Sequence, residues 1–205
     1  MTLNRYLLDR YGCNEPIYSA DIRFEGYSRQ WVFKELKKLV DNGDIKRFDT
    51  GIYYFPKKMP WGESMLNPRK VIEQRFLSNG TDIFGYIAGI SLLNQTGLST
   101  QVPNLVELVT NRESSRVRDI MVGSQRVRAR RSRTLVTKDN AITLQFLDLM
   151  NSIKPAAIDE TERLMLGKYV EASKVTRTSV TQYAGFFPAK ATKNMLESGV
   201  IYELA

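Results

Sequence analysis

Ser28 to Pro56 reads SRQWVFKELKKLVDNGDIKRFDTGIYYFP, and the character of the whole N-terminal part turns on it. Ser28 suits an N-cap, because its hydroxyl can accept from the free N–H groups of a first helical turn. Val32, Phe33, Leu36, Leu39 and Val40 recur at helical spacing and define an apolar stripe. Arg29, Gln30, Lys34, Lys37, Lys38 and Asp41 fall largely on the other side. Asn42-Gly43 ends the helix, with Gly43 free to take a left-handed conformation. Two short strands, Ile45–Phe48 and Ile52–Phe55, are then joined by Asp49-Thr50-Gly51, a hairpin signal. A basic helix followed by a basic hairpin is the pattern of a winged helix-turn-helix.

Upstream residues supply the remaining parts. Asn4–Tyr11 reads as a first helix ended by Gly12, and Ser19 caps a short second one over Ala20–Phe24. In a helix-turn-helix the second helix of the pair enters the major groove with its N-terminal residues near base edges. That assigns Tyr27, Ser28, Arg29 and Gln30 to the bases, since Arg pairs with guanine and Gln with adenine in two-point contacts. Lys34, Lys37 and Lys38 suit phosphates, and Lys46 and Arg47 on the wing suit flanking backbone. The same charges would also suit the solvated face of an amphipathic helix, and winged helices serve in protein binding too.

The chain has 205 residues, a formal net charge of +8 and no histidine; its pI is about 9.6. The basic bias favours polyanionic partners. Without histidine, Ser-His and Cys-His nucleophiles are excluded. Cys13 is the lone cysteine, so an internal disulfide and the usual zinc sites are excluded as well. Neither a GxxxxGK[ST] loop nor a GxGxxG fingerprint occurs. Glu63, Glu73, Asp82, Glu107, Glu113 and Asp119 are scattered singly, which ranks a Mg-dependent nuclease lowest. The expectation is a protein with no enzymatic activity and no cofactor. No apolar run is long enough to span a bilayer and the N-terminus lacks a secretory core, so the expected location is cytoplasmic, with no membrane partner.

Lys57–Asn67, KKMPWGESMLN, shows little periodicity and reads as a linker. Pro68 stands at a first helical position, opening a helix over Arg69–Ser78. Phe84–Asn94, with Gly85 and Gly89 four apart, reads as a buried helix, and Leu105–Thr110 as a strand. An arginine-dense segment follows, including Arg112, Arg116, Arg118, Arg126, Arg128, Arg130, Arg131 and Arg133. The alternation Arg126-Val127-Arg128-Ala129-Arg130 would put three guanidinium groups on one strand face. Such a patch would grip phosphate through planar forks, or it would form a solvated face paired to acids of the following helices. Helices are expected over Lys138–Ser152, Glu160–Ala172, Thr178–Ala184 and Ala189–Ser198. The closing LESGVIYEL echoes VDNGDIKRF, helix then glycine then a β-prone tail.

Together these residues resemble a known family. The N-terminal module with Gly51-Ile52-Tyr53-Tyr54 and Pro56 is similar to the winged helix that opens AbiEi-type antitoxins. Gly85-Tyr86 with Gly89, then Asn94, Gly97–Pro103 (GLSTQVP) and Thr110-Asn111 resemble its C-terminal marker, followed in order by arginine-rich strands and Lys138-Asp139-Asn140. The resemblance covers nearly the whole chain. It implies the antitoxin half of a type IV toxin–antitoxin system. Such a protein represses its own operon, at an operator built of inverted repeats, and counteracts a nucleotidyltransferase toxin without a stable complex. Gly123-Ser124 mimics the start of a nucleotidyltransferase motif, but the paired aspartates that should follow are missing, so this chain is not the toxin.

The expected fold is α+β: a winged helix-turn-helix over 1–58, a linker over 59–66 and a mixed α/β antitoxin domain over 67–205, helical at its end. The expected partner is double-stranded DNA. A ligand-sensing winged-helix repressor with no toxin is the alternative.

Overall fold

Thr2 accepts a hydrogen bond from the Arg5 N–H and caps the first helix, α1 (Leu3–Tyr11), which Gly12 ends at φ 74°. From there the computed structural model describes residues 1–101, 103–155 and 158–205. It is an α+β protein whose chain separates into two compact units. One is Met1–Ile72 with Val122–Ser124, the other Glu73–Met121 with Gln125–Ala205.

In the first unit α1 is followed by β1 (Ile17–Tyr18), α2 (Arg29–Asp41), β2 (Lys46–Asp49) and β3 (Ile52–Tyr54). The three strands form an antiparallel sheet in the order β1-β3-β2, with Ile17 opposite Tyr53 and Arg47 opposite Tyr53 on its other side. Leu3, Leu7, Ile17, Ile22, Val32, Leu36, Leu39, Ile45 and Phe55 make the core. Ser28 caps α2 by accepting from the Trp31 N–H, and Gly43 closes it at φ 79°.

Three expectations for this unit fail. Ala20–Phe24 is turn and extended chain, not a helix. The polar groups in and beside this segment are taken by other partners. The Ser19 N–H donates to Gly51, Tyr6 Oη donates to the Arg23 carbonyl, and the Arg23 guanidinium donates to the carbonyls of Ala20 and Ile22. Phe33 lies outside the apolar stripe and is exposed, while Trp31 packs against the core instead. The expected linker carries a hairpin, β4 (Lys58–Met59) and β5 (Gly62–Glu63), turned by Pro60-Trp61, and Leu66 behind it is buried.

Pro68 opens α3 (Pro68–Ile72), which passes directly into a π-helical turn over Glu73–Leu77. The second unit holds β6 (Gly85–Ile87), α4 (Gly89–Gln95), β7 (Leu105–Thr110), β8 (Val117–Val122, its last residue grouped with the first unit) and β9 (Gln125–Arg131). The sheet order is β6-β7-β9-β8; β6 is antiparallel to β7, and β7 runs parallel to β9 with Glu107 beside Arg128. The single helix expected over Phe84–Asn94 is a strand and a short helix. A Cβ at Gly85 would fall inside van der Waals contact of the Phe76 carbonyl and 2.6 Å from that of Val109, and at Gly89 (φ 57°) it would strike the Glu107 carboxylate. The two glycines therefore serve separate close approaches. Val102, within the Gly97–Pro103 motif, lies outside the described residues.

Four helices complete the chain: α5 (Ala141–Ser152), α6 (Glu160–Ser173), α7 (Arg177–Ala184) and α8 (Ala189–Glu197). Asp159 and Glu162 form a reciprocal capping box on α6. Leu144, Phe146, Leu147, Leu149 and Met150 of α5 centre a core that reaches Leu166, Val170, Val180, Ala191 and Met195. After Gly199 the tail is a 3₁₀ turn, Val200–Tyr202, so its echo of the N-terminal hairpin is in sequence only.

Candidate nucleic-acid interface

The buried residues of α2 are Val32, Leu36 and Leu39, and the geometry of a helix decides what stands opposite them. Residues four and seven apart share a face, so Gln30, Lys34, Lys37 and Asp41 form one exposed row. Among the described residues neither Lys34 nor Lys37 has a carboxylate partner, whereas Lys38 Nζ lies 2.8 Å from Glu35 Oε2. Arg29 stands to one side, its guanidinium 5.5 Å from the centre of the exposed Phe33 ring. Ser28 spends its hydroxyl on the helix cap. Tyr27 is half exposed, stacked on Phe24 and tilted against Trp31, with ring centres 4.9 and 4.0 Å away. Arg29 and Tyr27 also border an open groove of about 460 Å³ with Ile22–Glu25 and Val32.

On the β2–β3 hairpin the two expected backbone contacts differ from each other. Arg47 donates to the Asp49 carbonyl and to Thr50 Oγ1, both at 3.3 Å, which orients it along the turn and leaves its charge unopposed. Lys46 Nζ instead lies 2.6 Å from Glu63 Oε2 on β5. That hydrogen bond holds Glu63 below the usual carboxylate range and raises Lys46. Lys38 and Lys46 are thus already engaged, while Gln30, Lys34 and Lys37 are brought together, with Asp41 at the end of their row and no ion pair to either lysine among the described residues.

The arginines that alternate along β9 share its less buried face, as their spacing predicts, but they are not all free for phosphate. Arg128 makes a two-point contact with Asp119, both bonds at 2.8 Å, with Glu107 at 3.8 Å. Its partner Asp119 is held below the usual carboxylate range by that contact. Arg130 Nη2 donates to Asp148 Oδ2 of α5 at 3.2 Å. Pairing to a following helix is therefore adopted at Arg130, whereas Arg128 is paired within the sheet, to acids of β8 and β7. Arg126, Arg131 and Arg133 are exposed, and Arg133 lies over the Phe187 ring. Arg112 folds onto Phe84, 3.6 Å from the ring centre, and donates to the Gln74 and Arg75 carbonyls. Arg118 pairs with the buried Glu113 at 2.9 Å.

Two features escape a reading of the sequence alone. Tyr86 Oη donates to the same Asp148 oxygen at 3.2 Å, completing a buried Tyr86–Asp148–Arg130 junction. Burial, ahead of the Asp148 charge, pushes the Tyr86 hydroxyl well above the ordinary tyrosine value. The only signal for this in the chain is an aspartate inside an otherwise apolar helix. The second feature is Trp61, at the turn of the β4–β5 hairpin and 81% exposed. The turn-forming Pro60-Trp61-Gly62 stretch is its one local signal, since the flanking Lys58-Met59 and Gly62-Glu63 have little strand preference.

Among the described residues no helix is long and apolar enough to cross a membrane, and no three Cys, Asp or Glu side chains are grouped to hold a metal ion. No curated protein matches the chain. A family profile does match, over residues 22–175, which takes in α2, both hairpins, the four-stranded sheet and α6: the chain belongs to DUF6088, a family of unknown function.

Proposed function

We propose that this protein is a sequence-specific double-stranded-DNA-binding repressor that regulates its own operon and acts as the antitoxin to a nucleotidyltransferase toxin. The observation that carries the DNA-binding part is the exposed Gln30–Lys34–Lys37 row on α2, whose two lysines make no ion pair among the described residues, with Arg47 on the hairpin that follows. The order helix, strand, helix, hairpin supports a reduced winged helix-turn-helix in which the chain between β1 and α2 is a turn. In this reading Gln30 and Arg29 address base edges, and Lys34, Lys37 and Arg47 neutralise phosphates. The antitoxin part rests on the resemblance of Gly85-Tyr86, Gly89, Asn94 and the Gly97–Pro103 string to AbiEi-type antitoxins.

The test is binding of the full chain to a labelled duplex from its own upstream region, against a scrambled duplex, across a salt series. Preference for the upstream duplex is expected, with each phosphate contact contributing about 0.9 to the log–log salt slope. Equal binding to both duplexes would sink autoregulation, and no binding would sink the interface. For the antitoxin part, co-production with the nucleotidyltransferase encoded beside it should restore growth; failure to do so removes that half alone.

A further inference from the structure

The β4–β5 hairpin places a tryptophan where it does nothing for the fold. Trp61 is 81% exposed at the two-residue turn, and Met65 beyond it is exposed as well. Large apolar side chains stabilise a fold by leaving water, and these two remain in it. The charges around them are mainly positive. Lys57 and Lys58 are exposed on the strand leading into the turn, and Lys58 stands opposite Glu63. Glu63, the acid of the hairpin, is already held by Lys46. A rigid aromatic on a short support, flanked by ammonium groups, matches a polymer carrying phosphates on its edge and flat apolar faces inside. Aromatic and apolar side chains are used on nucleic acids in this way, by stacking or as wedges in the minor groove.

We propose that the β4–β5 hairpin is a second contact with duplex DNA, with Trp61 against base or sugar faces and Lys57 and Lys58 on the phosphates. This rests on the reading of the first unit as a DNA-binding module. It also gives Lys46 a role: holding the hairpin through Glu63 in place of touching DNA.

The chain has two tryptophans, Trp31 and Trp61, so full-length Trp31→Phe reports on Trp61 alone. Its emission and acrylamide accessibility would be followed while anisotropy of a labelled upstream duplex monitors binding. On saturation, Trp61 should be quenched and shielded. In the otherwise unchanged protein, Trp61→Ala should weaken duplex binding about fivefold or more, in line with the loss of one stacking contact, and Trp61→Phe should recover most of it. Those two variants alter an exposed turn, so circular dichroism should match the parent, and they decide the matter even if Trp31→Phe misfolds. Full duplex binding with unchanged Trp61 accessibility and wild-type affinity for Trp61→Ala overturns the hairpin contact and leaves the DNA-binding reading standing. Absence of duplex binding overturns both. Shielding by anionic lipid vesicles or by single strands, and not by the duplex, assigns the hairpin to another partner and overturns the proposal.

Discussion

Among the described residues Lys34 and Lys37 carry charge into solvent without an ion pair, whereas Lys38 and Lys46 are paired. Lys34→Ala and Lys37→Ala should therefore each lower the salt slope of DNA binding by about 0.9. Lys38→Ala and Lys46→Ala should change it less, which an electrophoretic or anisotropy salt series resolves. Gln30→Ala should cost about 1–3 kcal/mol at one base pair and relax the preference there, visible when each operator position is varied in turn. A titration at 295 nm reaches the other unit. Burial raises Tyr86 and Tyr169 above the ordinary value near 10, so these two should ionise last among the tyrosines. A raised value means the folded state keeps its proton where the unfolded chain would lose it. Their contribution is thus complete below about pH 10 and is lost as pH rises from there toward the folded values, with unfolding releasing both protons. Sequence marks where basic residues stand, yet it does not show which are already paired. Lys46 and Glu63, or Arg130 and Asp148, meet only after the chain has folded.

At the scale of elements, long periodic segments were legible and short ones were not. The expected limits of α2, β7, α5, α6, α7 and α8 lie within about three residues of those found, as their caps and apolar spacing direct. Phe84–Asn94 misled because a run of small and apolar residues suits a buried strand and a buried helix alike. The deciding facts, the Phe76 and Val109 carbonyls beside Gly85, come from other elements, the π-helical turn and β7. Gly85→Ala should consequently destabilise by about 3 kcal/mol, the upper part of the usual range for overpacking, because both obstacles are backbone. Urea unfolding should show this as a lower midpoint at unchanged slope. The Ala20–Phe24 turn and the β4–β5 hairpin were missed for a related reason. Each is held by partners outside itself, Ser19 by Gly51 and Glu63 by Lys46.

For the molecule as a whole, the α+β class was readable from the order of helix-like and strand-like segments. A linker was expected at 59–66; the units meet in sequence at Ile72 and Glu73, within one helical stretch. Asp148 is where the second unit concentrates its polar interior, since one carboxylate oxygen accepts from both Tyr86 and Arg130. Asp148→Ala should cost about 3 kcal/mol in global unfolding, because it strands the guanidinium without its counter-charge. Asp148→Asn, which keeps an acceptor, should cost less. The arrangement of β7 and β9 bears on how this unit folds. They lie side by side in parallel although β8 intervenes in the chain, and β8 joins β9 through two residues alone, Gly123-Ser124. A local hairpin closes within microseconds, whereas pairing Leu105 with Arg126 must await a longer closure. The β8–β9 hairpin should then form first and dock onto β7 as a finished piece, with β6 joining afterwards. In stopped-flow experiments Val127→Ala should slow refolding, and Tyr86→Phe should chiefly hasten unfolding.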